Sequence, residues 1–289
     1  MADLHPEPLI SVVTPAYGAA AYLPDLIESV RAQDYRRIEH IVIDDGSEDS
    51  GATVGILQRY PHLRWWSREN QGQFATLNEG IRAATGDVLT IISADDRYIA
   101  PSAFSRVIAH WRALPQLGLV YGRVRHIDPE GGFLPFETSV EPRGPFSPWM
   151  LRHRSCIYHC SMFVKRRHVI DPGVWFDPAF RFLGDWDWIS RLLASGVVAG
   201  YIDEPLSEYR NHPGQVTNTT REAARSAEAR TICERNHASH RVSLLLRRAY
   251  ALRHKALRLS WLLRTGGPRL VVERLARKLR GRLGAEGIR

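Results

Sequence analysis

GDVLTIISADD, residues 86–96, decides how this chain is read. Its VLTII run is short and apolar and follows Gly86, the pattern of a buried strand. Asp95 and Asp96 stand at the carboxyl end of that run. Two like charges at the edge of a core are unfavourable unless something neutralises them. In open α/β sheets this is the edge where ligands bind.

Upstream, the same rhythm repeats. LISVVT, 9–14, reads as a strand, and TPAYG supplies turn chemistry after it. Leu23, Leu26, Ile27 and Val30 then share one helical face, with Pro24 in the first turn. IEHIVI, 38–43, is a second strand that ends in DDGSEDS. A helix over 50–60 and a strand over LRWW, 63–66, come next. Phe74, Leu77, Ile81 and Ala84 mark a helix that stops at Gly86. This alternation over roughly the first 120 residues predicts a mostly parallel sheet flanked by helices.

Downstream the rhythm changes. LGLVYGRVRHID reads as strand, PEGG as a turn, and 131–160 as loop. SMFVK, 161–165, is a strand, and DWDWISRLLASG is a helix closed by Gly196 with Asp185 at its start. VVAGYID follows as a strand. From about 219 the chain is helical. Leu245, Ala249, Leu252, Ala256, Leu259 and Leu263 recur at helical spacing among Arg and Lys. GGP, 266–268, breaks this pattern before a second basic amphipathic helix at 269–280.

Charge divides the chain in the same place. Residues 221–289 hold 18 Lys and Arg against 5 Asp and Glu, a net of +13, while the other 220 residues hold 21 against 26, a net of −5. An acidic body with a basic tail predicts a separate partner for the tail. An anionic membrane fits an amphipathic basic helix carrying Trp261. Packing of the apolar stripe on the body is the alternative. Nucleic acid is disfavoured, because no recognition motif accompanies the charge. MADLHPEPLI is short and acidic, unlike a signal peptide, and no apolar run reaches about 18 residues. Three cysteines fit a reducing, cytoplasmic setting, with peripheral attachment to the inner face of the cell membrane through the tail. HRSCIYHC brings His153, Cys156, His159 and Cys160 together, but at no standard zinc spacing.

The ligand edge collects Thr14, Pro15 and Tyr17, then Asp44-Asp45-Gly-Ser, then Asp95-Asp96, with Asp185 at a helix start. Taken singly, DDGS reads as a turn and Asp185 as a helix cap as readily as anything chemical. Their joint order is more specific. No GxGxxG follows the first strand, which argues against a dinucleotide-binding dehydrogenase. TPAYGAA also lacks the Gly- and Arg-rich loop of a sugar-nucleotide pyrophosphorylase.

Five blocks carry a resemblance: SVVTPAYGAAAYLPDLIESVRAQDY, IEHIVIDDGSEDSG, ENQGQFATLNEGIRAATGDVLTIISADD, FLGDWDWISRLL and PLSEYRNHPGQVT. In this order, over residues 9–217, the chain resembles family 2 glycosyltransferases. The resemblance implies an α/β, Rossmann-like nucleotide-diphospho-sugar transferase fold of the A type. It divides the chain into a catalytic domain, 1–218, and a basic helical extension, 219–289. The nucleotide-sugar half would be about 1–120 and the acceptor half about 121–218.

It further implies an inverting, metal-dependent transfer from a nucleotide-sugar donor, UDP-linked, to a hydroxyl acceptor in cell-surface polysaccharide or glycoconjugate assembly. The acceptor would be a saccharide, free or lipid-linked. Pro15 and Tyr17 would line the nucleobase pocket and Asp45 would accept from the base, with Asp44 at the strand end. Asp96 would hold Mg²⁺ or Mn²⁺ with His212, while Asp95 would meet the donor and Arg210 the diphosphate. Gln71 and Asn78, with Gly72 and Gln73, match the donor-side loop and helix, or else serve helix entry and packing. Asp185 matches the base that takes the acceptor's proton, with Asp187 as runner-up. Trp186 or Trp188 would form an acceptor platform, or pack in the core. Two positions depart from the common pattern: Gly184 replaces a glutamate, and Ser93 an acidic residue. They motivate an alternative, a catalytically inactive nucleotide-sugar-binding or scaffold protein.

Overall fold

The computed structural model describes residues 7–135, 144–216 and 222–257, with 259, 260 and 264. The expected second basic helix at 269–280, Trp261 and Leu263 lie outside these residues.

One eight-stranded sheet has the order β3-β2-β1-β4-β7-β6-β8-β5. β1 (Ile10–Ala16), β2 (Ile38–Asp44), β3 (Arg64–Ser67) and β4 (Val88–Ile91) are mutually parallel. Their crossovers carry α1 (Leu23–Arg31), α2 (Ala52–Leu57) and α3 (Gln73–Ala83). Leu23, Leu26, Ile27 and Val30 are all buried, as their spacing predicts. After α4 (Ala103–Ala113) the direction changes. β7 (Met162–Lys165) runs antiparallel to both β4 and β6 (Leu119–Ile127), and β6 pairs parallel with β8 (Ala199–Arg210). Two apolar clusters pack on opposite faces, one around Leu26, Val42 and Phe104, the other around Ile43, Leu77 and Trp188.

Three expectations are corrected. β1 continues through Thr14 and Pro15 to Ala16, with Pro15 in unbroken parallel register with Ile43. Gly86 is not a left-handed helix stop. Helix α3 ends at Ala83, and a side chain at Gly86 would collide with Ser11 and the Leu9 carbonyl. β8 is longer than VVAGYID: it includes PLSEYR, with register shifts at Gly122–Val124 that accommodate Pro205, and pairs at its end with a strand the pattern did not signal, β5 (Arg97–Tyr98).

Short elements then frame the acceptor side: α5 (Pro148–His153), a 3-10 turn at His159–Ser161, α6 (Arg167–Ile170) and α7 (Gly184–Ala194). The basic extension begins as part of the body. Its helix α8 (Glu222–Arg235) buries Ala229, Ile232 and Cys233 in the second cluster, and the Glu228 carboxylate receives the N–H groups of Arg181, Phe182 and Leu183. Residues 240–257 form a further helix, tied down where Ser243 Oγ donates to the His153 carbonyl at 2.6 Å. Leu245, Leu252 and Leu259 of the apolar stripe remain exposed. Among the described residues no helix is long and apolar enough to cross a membrane.

Candidate active site

β1, β2 and β4 end on one edge of the sheet, and α7 points its amino end towards them. On the nucleotide side the carboxylates are engaged. Asp44 is buried and accepts from Ser67 Oγ at 2.5 Å and from the Ser47 amide at 3.3 Å. Asp45 pairs with Arg68 and accepts from the amides of Gln71 at 2.8 Å and Gly72 at 3.0 Å. Arg68 also reaches Glu79 at 2.7 Å and Thr76 Oγ1 at 2.9 Å. Asp45 therefore organises the 68–72 loop, and Gln71 meets it through its backbone. Gly46 must be glycine: its φ is +73° and a Cβ would lie 2.8 Å from the Asn70 amide nitrogen. Tyr17, 54% exposed, and half-buried Pro15 line the mouth of this edge, where the Asp45 amide donates to the Ala16 carbonyl at 2.8 Å.

Asn78 is not brought to this edge. Its amide clamps the Phe176 backbone, donating to the carbonyl at 2.8 Å and accepting from the N–H at 2.9 Å. Its role is packing, because both ends of the amide are satisfied inside the core.

The Asp95-Asp96 pair lies in a turn that starts at Ser93, whose carbonyl accepts from the Asp96 amide at 3.1 Å. The two carboxylates diverge. Asp96 is 1% exposed, and its Oδ1 accepts from the Arg210 amide at 3.0 Å. Burial, and then the Asp95 charge, push its pKa well up. Asp95 is the accessible one, with 27% of its side chain exposed and Oδ2 2.9 Å from His212 Nε2. Asp95, not Asp96, stands beside His212. Arg210 is also reassigned. Its guanidinium is 1% exposed and donates to the carbonyls of Asp95 and Pro129 and to Asp25 Oδ2, each at 2.8 Å, over the Tyr22 ring. Burial and these bonds hold it beneath the turn.

Among the described residues no group of three or more His, Cys, Asp or Glu is arranged to hold a metal ion. Asp95 and His212 nonetheless fit one. Mg²⁺ and Mn²⁺ are commonly held by one or two protein groups, with substrate phosphates and water completing the shell.

Asp185 stands in the first turn of α7, one residue inside the helix. Leu183, not Asp185, is the cap position. Its Oδ1 accepts from the Trp186 amide at 2.8 Å, its Oδ2 lies 3.4 Å from His159 Nδ1, and its side chain is 25% exposed. Asp187 is 1% exposed and bridges Arg191 at 2.6 Å and Arg235 at 3.0 Å. That pairing removes it as an alternative base. Trp186 and Trp188 are fully buried, their indole N–H groups donating to the Leu151 and Val174 carbonyls, so neither is an acceptor platform.

Gly184 now has a physical cause. A Cβ there would lie 2.6 Å from the Phe74 ring, which stacks on Phe176, which stacks on Trp188. The volume of a glutamate is filled by an aromatic column. Ser93, the other departure, lies 3.2 Å from His159 Nε2. Sequence reasoning missed Arg68 and Asp25, and met His159 only within HRSCIYHC. Those four side chains have separate surroundings. His153 meets the Trp149 carbonyl, Cys156 the Arg154 carbonyl, and Cys160 the Ser207 hydroxyl, while His159 faces the site.

The family model described as "Glycosyl transferase family 2" matches residues 11–171. An uncharacterized glycosyltransferase of Rickettsia felis is 30% identical over 64% of this chain and 31% of its own length. Chondroitin synthase of Escherichia coli is 28% identical over 68% of this chain and 28% of its own length. The chain thus spans less than a third of either relative. Among solved structures, a mannosyltransferase from Pyrobaculum calidifontis in complex with GDP-Man and Mn²⁺ superimposes with a TM-score of 0.59 at 19% identity, covering 96% of this chain and 83% of that one. S. aureus TarS 1-349 in complex with UDP gives 0.55 at 16% identity, covering 71% and 61%.

Proposed function

The chain belongs to glycosyl transferase family 2, and from that premise we propose that it is an inverting glycosyltransferase. It moves a sugar from a nucleotide-sugar donor, UDP-linked, to a hydroxyl acceptor in cell-surface polysaccharide or glycoconjugate assembly. The observation that carries this reading is the pair of accessible carboxylates on one edge, Asp95 beside His212 and Asp185 at the amino end of α7, each with unfilled acceptor capacity.

In this reading Tyr17 and Pro15 wall the nucleobase, and the 68–72 loop, held by Asp45, borders it. Asp95 and His212 would hold Mg²⁺ or Mn²⁺. When bound, that ion offsets the charge that develops on the departing nucleoside diphosphate. Asp185 takes the proton of the acceptor hydroxyl as its oxygen attacks the anomeric carbon from the face opposite the leaving group. The transition state has oxocarbenium character, so one base on one face and a stabilised leaving group on the other give inversion. A saccharide, free or lipid-linked, is the acceptor. The exposed Leu245, Leu252 and Leu259 among Arg and Lys support contact between the extension and an anionic membrane.

Purified protein with Mn²⁺ and a panel of UDP- and GDP-sugars should release nucleoside diphosphate from one donor when saccharide acceptors are added. No release from any donor would sink the enzymatic reading and leave nucleotide-sugar binding or scaffolding in its place.

A further inference from the structure

The geometry points to His159 as a positioning residue that holds the Asp185 carboxylate in register with the turn carrying Asp95. This rests on the reading of Asp185 as the base.

The ring is bonded at both ends. Nδ1 faces Asp185 Oδ2 at 3.4 Å and Nε2 faces Ser93 Oγ at 3.2 Å. A carboxylate only accepts, so Nδ1 carries a proton towards it. With both nitrogens engaged, His159 has no free nitrogen with which to serve as the base itself. Asp185 has its Oδ1 on the Trp186 amide and its Oδ2 on His159, so the carboxylate plane is fixed while second lone pairs stay open.

The ring is mounted on a rigid frame. Its 3-10 turn leads into β7, where the Met162 carbonyl accepts from Thr90 Oγ1 at 2.9 Å, tying the turn to β4. Cys160 is fully buried against Ser207, and Ser161 Oγ donates to the Arg123 carbonyl at 2.7 Å. One side chain thereby links the start of the Ser93–Asp96 turn to the start of α7, 92 positions further along the chain. Ser93 gains a role from this. In place of an acidic residue it provides a short hydroxyl that sets the far end of the strut.

The Asn amide nitrogen overlays Nδ1 of histidine, and the Gln amide nitrogen overlays Nε2. His159→Asn therefore keeps the end facing Asp185, and His159→Gln keeps the end facing Ser93. His159→Ala and His159→Gln should lower kcat by roughly 10–100-fold, the scale set by misplacing a reacting group by about 1 Å. His159→Asn should recover most of that loss, and the donor KM should stay within about twofold in all three, since uniform binding is untouched. In an Asp185→Asn background His159→Ala should add nothing. An Asn variant no better than Gln, or a rise in donor KM with kcat preserved, overturns the proposal. If Asp185→Asn itself keeps full turnover, the assignment of the base has failed instead. A readout independent of turnover uses ¹⁵N shifts of the His159 ring. They should report a protonated Nδ1 that changes environment in Asp185→Asn. Unchanged ring signals overturn the strut even if no donor is found or His159→Ala fails to fold.

Discussion

Asp44-Asp45 and Asp185–Asp187 are two acidic pairs at the ends of elements, and their surroundings differ. In the parallel half, the loops after β1, β2 and β3 fold back on one another, so both carboxylates of the first pair meet amides, hydroxyls and Arg68. In the second half, helix α7 turns its two aspartates in different directions. Asp187 enters the core between Arg191 and Arg235, while Asp185 remains at the surface of the edge. The Asp95-Asp96 turn repeats this division, one carboxylate buried and one accessible. An aspartate at a sheet edge is therefore not yet a chemical group. Its other hydrogen-bond partners decide whether it shapes a loop or meets a ligand.

The comparison breaks most sharply at α7. Asp185→Asn should lower turnover by about 10³-fold, within the range of a lost general base, with affinity for UDP and Mn²⁺ within about twofold by calorimetry. Asp187→Ala should instead cost about 2 kcal/mol of stability, less than a fully buried pair because its arginines are partly exposed, as a fall in Tm. Equal loss of turnover from both would erase the distinction.

On the nucleotide side, Asp45→Ala leaves Arg68 and the amides of Gln71 and Gly72 without their acceptor. It should cost about 3 kcal/mol and weaken UDP binding together, because the loop loses its shape before it loses a ligand contact. A variant with normal melting and lost UDP binding would restore Asp45 as a direct nucleobase contact.

Gly184 sharpens the contrast from the packing side. Gly184→Glu should destabilise by about 1–3 kcal/mol through collision with Phe74, and the same change should cost less in a Phe74→Ala background, where the space is open. A fully stable single variant would mean that the aromatic column yields freely.

The last test concerns His40, in β2. Burial, and then the charge of His62, push its pKa down to about 3. Its Nε2 lies 3.1 Å from Thr14 Oγ1, and its Nδ1 has no hydrogen-bond partner among the described residues. The unfolded chain binds a proton near pH 6.5 that the folded chain refuses. The stabilising contribution is therefore complete above about pH 6.5 and is lost as pH falls towards 3, with a slope of up to about 1.4 kcal/mol per pH unit. Denaturant titrations of His40→Gln between pH 7 and 4 should show that slope reduced.

Much of the architecture was legible in the sequence because its signals are local. Period-3.6 apolar faces and short apolar runs act within ten residues, and they located α1, α3 and the four parallel strands. The order of the motif blocks pointed to the family that the match over residues 11–171 bears out. The partners of each polar side chain were not legible. Arg210 looked like a ligand for diphosphate until Asp25, 185 positions away, and the carbonyls of Asp95 and Pro129 filled its guanidinium. Asn78 looked like a donor contact until Phe176 took its amide. Gly184 looked like a defect until Phe74 filled the space beside it. Local pattern fixes which backbone forms where, because apolar periodicity and turn residues act over a few positions. Only the folded chain decides which carboxylates, amides and rings have capacity left, because partners such as Arg235 for Asp187 and Asp25 for Arg210 are 48 and 185 residues distant in the chain and meet once the sheet has closed around them.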